Sequence, residues 1–370
     1  MTARWRAFTM LGALVVIWIV FAVATHGTFL LPRNLALLAR QMSVTSLLAM
    51  AMVLVIVAGQ IDLSVGAMTG LLGAISALAL VQHAWPLPAA FALPIGLGAG
   101  LGFTQGQLVA RLRIPPFIVT LGGMLVFQGA LLGITGGVST SPTRAYILVG
   151  QAYMPRVVGW SVAALAALLF IGRDVRSRAA TAHAGDNGQR RSRLPWTGLA
   201  AAALGLGFTA VMNAYEGIPI PVLLVLALGA VLSVVTRHTP FGRHLYAIGG
   251  NREAAFYSGI DINRHLTGVF TIMGAMCGVA GVVLTARVGA ATSEAGRMME
   301  LDAIAAAVIG GTSLLGGQGT IRGALVGALV MASLDNGMSL LNTETFWQPV
   351  LKGGILVAAV AADIASRRRS

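Results

Sequence analysis

Long apolar runs separated by short polar or glycine-rich breaks fill this chain from end to end. The runs lie near Phe8 to Ala24, Ser43 to Ala58, Gly66 to Val81, Ala89 to Ala110, Phe117 to Ile134 and Val157 to Ile171. They continue near Trp196 to Met212, Pro219 to Val235, Leu266 to Ala286, Ala303 to Leu315, Ile321 to Leu340 and Pro349 to Ala362. A helix needs roughly 17 to 25 apolar residues to cross a hydrocarbon core of about 30 Å, so the pattern predicts ten to twelve crossings, the short runs setting the range. The strict alternation of barrel strands is missing, and backbone groups in a bilayer are satisfied only within helices or closed barrels. The predicted fold is all-α: one polytopic transmembrane helical bundle over residues 1–370.

Composition agrees. The chain is 56% hydrophobic and 10% charged with a mean hydropathy of +0.82, more apolar surface than a soluble core can hide. The formal charge of +13 does not point to nucleic acid, because its arginines sit in short segments beside the runs, where they set orientation. Arg4 and Arg6, Arg111 and Arg113, the group Arg173 to Arg193, the group Arg237 to Arg264, and Arg367 to Arg369 are separated by even numbers of runs. All five groups are therefore expected in the cytoplasm together with both termini. The first run is read as an uncleaved helix although Ala22-Val23-Ala24 resembles a cleavage site. The single cysteine, Cys277, lies within a run and leaves no disulfide framework or metal cluster.

Two polar segments stand out. Residues 172–195, with six arginines, read as a solvated cytoplasmic connector. "GGNREAAFYSGIDINRH", Gly249 to His265, reads as a short helix. Asn251 suits its N-cap, Glu253 its first turn and Gly259 a left-handed stop. On physical grounds this helix is either an interfacial turn or a docking element.

Glu253-Ala254-Ala255 followed by Gly259 resembles the EAA loop of ABC importer permeases, and "GGNREAAFYSGI" is similar to the form found in permeases for ribose, xylose and related sugars. "QIDLSVGAMTGLLGAISAL" from Gln60, "RIPPFIVTLGGMLVFQG" from Arg113 and "ELDAIAAAVIGGTSLLGGQGTIRGALVGALV" from Glu300 agree in family order, so the resemblance spans about half the chain. Gln60 and Gln105 lean towards the xylose type. The resemblance implies a cytoplasmic coupling loop over 237–265, with Asn251, Glu253, Ala254, Ala255, Ser258 and Gly259 meeting an ATP-binding cassette subunit. It further implies a soluble sugar-binding protein, a second permease copy and the bacterial cytoplasmic (inner) membrane. A P-loop needs Gly-Lys-Ser/Thr, but the only lysine, Lys352, stands between Leu351 and Gly353. ATP hydrolysis therefore belongs to another subunit, and no cofactor is expected.

Candidate path or gate residues are Gln60, Asp62, Ser64, Gln105, Gly316, Gly317 and Asn336. Asp62 either caps a helix starting near Ser64, lines the route or sits at the membrane edge. The glycines from Gly310 to Gly323 serve close packing or a gate. Asn336 joins helices or meets sugar hydroxyls, and Lys352 is expected to snorkel. The segments at Gly59 and Gly310 hint at an internal repeat. A secondary transporter should show paired acids for a coupling ion. An intramembrane enzyme should show a nucleophile and base, yet all six histidines fall in loops or at edges.

Overall fold

The computed structural model describes residues 3–183, 196–344 and 346–368. Its helices are α1 (Ala3–Ala24), α2 (Pro32–Val57), α3 (Val65–Val81), α4 (Leu87–Ala110) and α5 (Pro116–Thr135), then α6 (Arg144–Gln151), α7 (Arg156–His183), α8 (Trp196–Asn213) and α9 (Ile220–His238). The short α10 (Pro240–Gly250) and α11 (Arg252–Tyr257) precede α12 (Ile262–Val288), α13 (Met299–Ile309), α14 (Ile321–Leu340) and α15 (Trp347–Arg368). Among the described residues the only β pairing is two isolated bridges, Thr140 with Ala291 and Tyr153 with Pro219. Every apolar run has its helix; α6, α10 and α11 lie outside the runs. Proline occupies the first turn of α2, α4, α5 and α9, where its missing N–H is no loss and its fixed φ favours helix entry.

Seven described helices are long and apolar enough to cross a membrane: α2, α4, α5, α7, α9, α12 and α14. At about 1.5 Å per residue, the 17 residues of α3 and 11 residues of α13 fall short of a full hydrocarbon thickness. Each is preceded by an irregular segment, 58–64 before α3 and 289–298 before α13. Non-helical backbone is tolerated within a bilayer only inside protein; Gln60, Asp62 and Ser64 of the first segment are buried, whereas Glu294, Arg297 and Met298 of the second are exposed.

Two halves of the bundle repeat in opposite directions. α3 packs on α12, α4 and α5, as α13 packs on α2, α14 and α15. α2 runs towards the end that carries α10 and α11, where the N–H of Gly317 donates to the Val57 carbonyl at 2.9 Å. α12 starts at that end and runs away. α4 and α12 lie antiparallel and very close: a Cβ on Gly98 or Gly102 would strike the carbonyl of Gly274 or Phe270. Small residues allow this approach, which yields dense packing where lipid offers no hydrophobic drive. α2 to α5 and α12 to α15 thus form an inverted pair. The counterpart of 58–64 is 289–298, not the glycine-rich turn at Gly310 that the sequence paired with it; that turn follows the second half-helix.

α7 and α8 pair with each other and α8 touches α2, so they flank the repeat. α7 continues through His183, and residues 172–183, expected as loop, form its last three turns. Arg and Ala are strong helix formers, so "GRDVRSRAATAH" carries the helix on past its apolar part. The rest of that expected connector, 184–195, and Arg369 lie outside the described residues.

Candidate functional site

α10 and α11 are built from caps. The Thr239 hydroxyl accepts from Gly242 N–H at 3.2 Å and starts α10, with Pro240 at its first position. Asn251, at φ −155°, ends α10 and begins α11, its Oδ1 accepting from Ala254 N–H at 2.9 Å. α11 closes with the paired bonds of a Schellman turn: Ile260 N–H to the Ala255 carbonyl at 3.2 Å and Gly259 N–H to the Phe256 carbonyl at 2.9 Å. Gly259 has φ +79°, a conformation in which a Cβ is strained. Asp261 Oδ1 then accepts from Arg264 N–H at 3.0 Å and starts α12. Six helical residues thus hold a fixed shape between two side-chain caps.

The outward face of α11 differs from the sequence expectation in one respect. Asn251, Glu253, Ala254, Ser258 and Gly259 are exposed, but Ala255 is buried at 4% exposure against this chain's own bundle. The large outward groups are Phe256, 64% exposed, and Tyr257, 78% exposed, with ring centroids 5.7 Å apart. A helix of 3.6 residues per turn with Ala255 inward must turn its neighbours outward. The alanine pair drew attention in the sequence; only the inward direction of Ala255 reveals the aromatic pair.

α10 connects this helix to the bundle. Leu245 and Ile248 are buried, and Tyr246 Oη donates to the Gly319 carbonyl at 2.7 Å. Gly249 lies directly on backbone: a Cβ there would strike the Val57 carbonyl oxygen and lie 2.6 Å from Gly317 N. Gly316 and Gly317, at φ +87° and +70°, face Gly249 and Gly250. The glycine-rich turn therefore packs closely against α10, and its composition follows from that contact. Beside it, His265 Nδ1 meets the Asp261 carbonyl at 2.6 Å and His265 Nε2 meets His244 Nδ1 at 3.0 Å. A neutral His265 must donate from Nδ1 here, so His244 donates to it.

The remaining candidates divide into two groups. Asp62 Oδ1 accepts from Ser64 N–H at 2.8 Å and Ser64 Oγ–H at 2.7 Å, and Ser64 Oγ accepts from Gln105 Nε2 at 3.0 Å. These three residues are 1%, 0% and 4% exposed, a sealed network joining the break to α4. Asp62 bonds the residue before α3 rather than the helix's own first amides, an Asx turn. Gln60 folds back on the Gly59 carbonyl at 3.0 Å. Asn336 stands apart at the other end of α2, exchanging amide hydrogen bonds with Asn34 at 2.8 and 3.1 Å.

Lys352 does not snorkel. Its Nζ lies 2.9 Å from Asp302 Oδ1 and 2.9 Å from Asp335 Oδ1, joining α15 to α13 and α14. A charge at the centre of a membrane helix costs about 2.5 to 3.5 kcal/mol on insertion scales, and pairing offsets that cost more effectively than a reach for water past a bundle wall. The partners are 17 and 50 residues away in sequence, so no local pattern announces them.

Residues 34–360 match the family described as branched-chain amino acid transport system / permease component. The chain is 45% identical over 368 residues to the xylose transport system permease protein XylH of Escherichia coli (strain K12), covering 99% of this chain and 93% of that protein. It is 43% identical over 378 residues to XylH of Haemophilus influenzae, covering 98% and 97%. The ribose import permease protein RbsC of Bacillus subtilis (strain 168) is 34% identical over 348 residues, covering 94% of this chain and 89% of that protein. No solved structure matches. With the family match running from α2 into α15 and likeness over nearly the whole length, this multi-pass membrane protein belongs to the permease components of the branched-chain amino acid transport system family.

Proposed function

We propose that this chain is the membrane subunit of an ATP-driven importer for a monosaccharide, a pentose such as xylose. The observation that carries this reading is its full-length likeness to xylose transport permeases. α11 docks a separate ATP-binding cassette subunit through Phe256, Tyr257 and the exposed polar residues from Asn251 to Ser258. Large aromatic groups on a rigid, capped element are the residues that anchor protein interfaces. Arg113, Arg252 and Arg264 gather at the same end of the bundle, which supports a cytoplasmic position for it, with both termini on that side, in a bacterial cytoplasmic membrane. A soluble sugar-binding protein delivers solute at the opposite face, and two copies of the chain enclose one path.

Coupling on this reading is mechanical. A shift of α11 moves α10, and the backbone contacts of Gly249 pass that shift to the end of α2 and to the turn at Gly316 and Gly317. The test is xylose uptake into vesicles holding the permease, with and without ATP and the nucleotide-binding subunit. Uptake that needs both supports the reading. Uptake driven by an ion gradient in the absence of that subunit overturns it.

A further inference from the structure

Besides the aromatic helix, the least expected feature of the bundle is a cavity of about 540 Å³ between α13, α14 and α15. We propose that it is a transit site for the sugar itself; the proposal rests on the monosaccharide reading above. Its walls include Asp302, Met331, Phe346, Gln348, Lys352 and Leu356, and its volume falls within the roughly 300 to 1,000 Å³ of small-molecule pockets. Asp335 stands behind Lys352 and completes a cluster of two carboxylates and one ammonium.

The cluster and the Asp62 network differ in access. Asp62, Ser64 and Gln105 are sealed. The side chains of Lys352, Asp302 and Asp335 retain 22%, 13% and 19% exposure, and two of them form part of the cavity wall. A purely structural ion cluster gains nothing from an opening, since water and mobile ions weaken the attraction. Bordering a cavity, it offers hydroxyl groups what they bind best: carboxylate oxygens with lone pairs beyond those taken by Lys352. Gln348 adds an amide donor and acceptor. Phe346, 55% exposed and with its ring centroid 5.1 Å from that of Trp347, offers an apolar face to the C–H side of a sugar ring. Arg297 also lines the cavity, so its wall carries donors of both guanidinium and ammonium type beside the Asp302 carboxylate. A carboxylate, an amide and cationic donors around an aromatic face suit a polyhydroxylated molecule.

The experiment uses the full transport complex with xylose as probe. Gln348→Ala removes a wall group outside the ion cluster and should lower uptake about three- to ten-fold, in line with one lost hydrogen bond, without changing ATP hydrolysis or membrane abundance. In a Cys277→Ala background, Gln348→Cys should react with a small hydrophilic thiol reagent, and xylose should slow that reaction while an equal concentration of a hydroxyl-free solute of similar size should not. If the thiol is unreactive, the cavity faces lipid and the proposal is wrong. If it reacts at the same rate with and without xylose, or Gln348→Ala leaves uptake unchanged, the sugar passes elsewhere. These failures are distinct from failure of the importer reading, in which the unmodified complex itself would show no ATP-dependent uptake.

Discussion

Gly249 and Gly250 are adjacent in the last turn of α10, yet their surroundings predict opposite responses to the same change. A methyl group on Gly249 would strike the Val57 carbonyl oxygen and lie 2.6 Å from Gly317 N and 2.9 Å from Val57 C, about an ångström inside the ~3.5–4.0 Å at which nonbonded atoms rest. All three are backbone atoms, so no rotamer can yield. Forcing extra carbon into packed surroundings costs about 1–3 kcal/mol. Separating Val57 from Gly317 to make room also breaks their 2.9 Å hydrogen bond, about 0.5–1.5 kcal/mol more. Against this stands up to ~1 kcal/mol of gain from replacing a helical glycine with alanine, leaving a net loss of about 0.5–4.5 kcal/mol. A Cβ on Gly250 meets nothing within 4 Å, so that variant keeps only the gain. Thermal unfolding midpoints in detergent should therefore fall for Gly249→Ala and hold or rise for Gly250→Ala. ATP-driven uptake should drop only for Gly249→Ala. Indistinguishable variants in both measurements would refute the claim that α10 is seated backbone to backbone on the end of α2.

The remaining predictions concern single contacts. Replacing Phe256 and Tyr257 together by alanine should leave folding intact, since both are exposed, but weaken binding to the nucleotide-binding subunit at least ten-fold in a pull-down titration; unchanged binding would move the docking surface elsewhere. Gly259→Val forces a β-branched residue into φ +79° at a cost of about 1–3 kcal/mol, so uptake should fail while membrane insertion and binding-protein docking persist. Lys352→Met leaves Asp302 and Asp335 facing each other without a cation. Its folded yield should drop by the equivalent of the lower part of roughly 3–5 kcal/mol, and adding Asp302→Asn and Asp335→Asn should recover most of it. Asp62→Asn keeps an oxygen to accept from Ser64 and should retain most of the folded yield, whereas Asp62→Leu should not; equal yields would remove the Asx turn as a reason for that carboxylate.

Much of this architecture was determined by the sequence, because its causes are local. Twelve apolar runs became helices since a chain in lipid must satisfy its backbone within the segment. Asn251, Gly259 and the residues between them specified a capped helix because caps act over three or four residues. What tertiary structure decided depends on partners far along the chain. Ala255 turned inward because α10 and α12 fix the roll of α11, which transferred the outward role to Phe256 and Tyr257. Asn34 found Asn336, and Lys352 found Asp302 and Asp335, across helices whose order in space follows from the inverted repeat rather than from sequence neighbours. The glycines at 316 and 317 read alone as close packing or a gate, and Gly249 only as the residue before a short helix. Only the approach of two backbones, one from α10 and one from the turn before α14, gives the reason no side chain fits there.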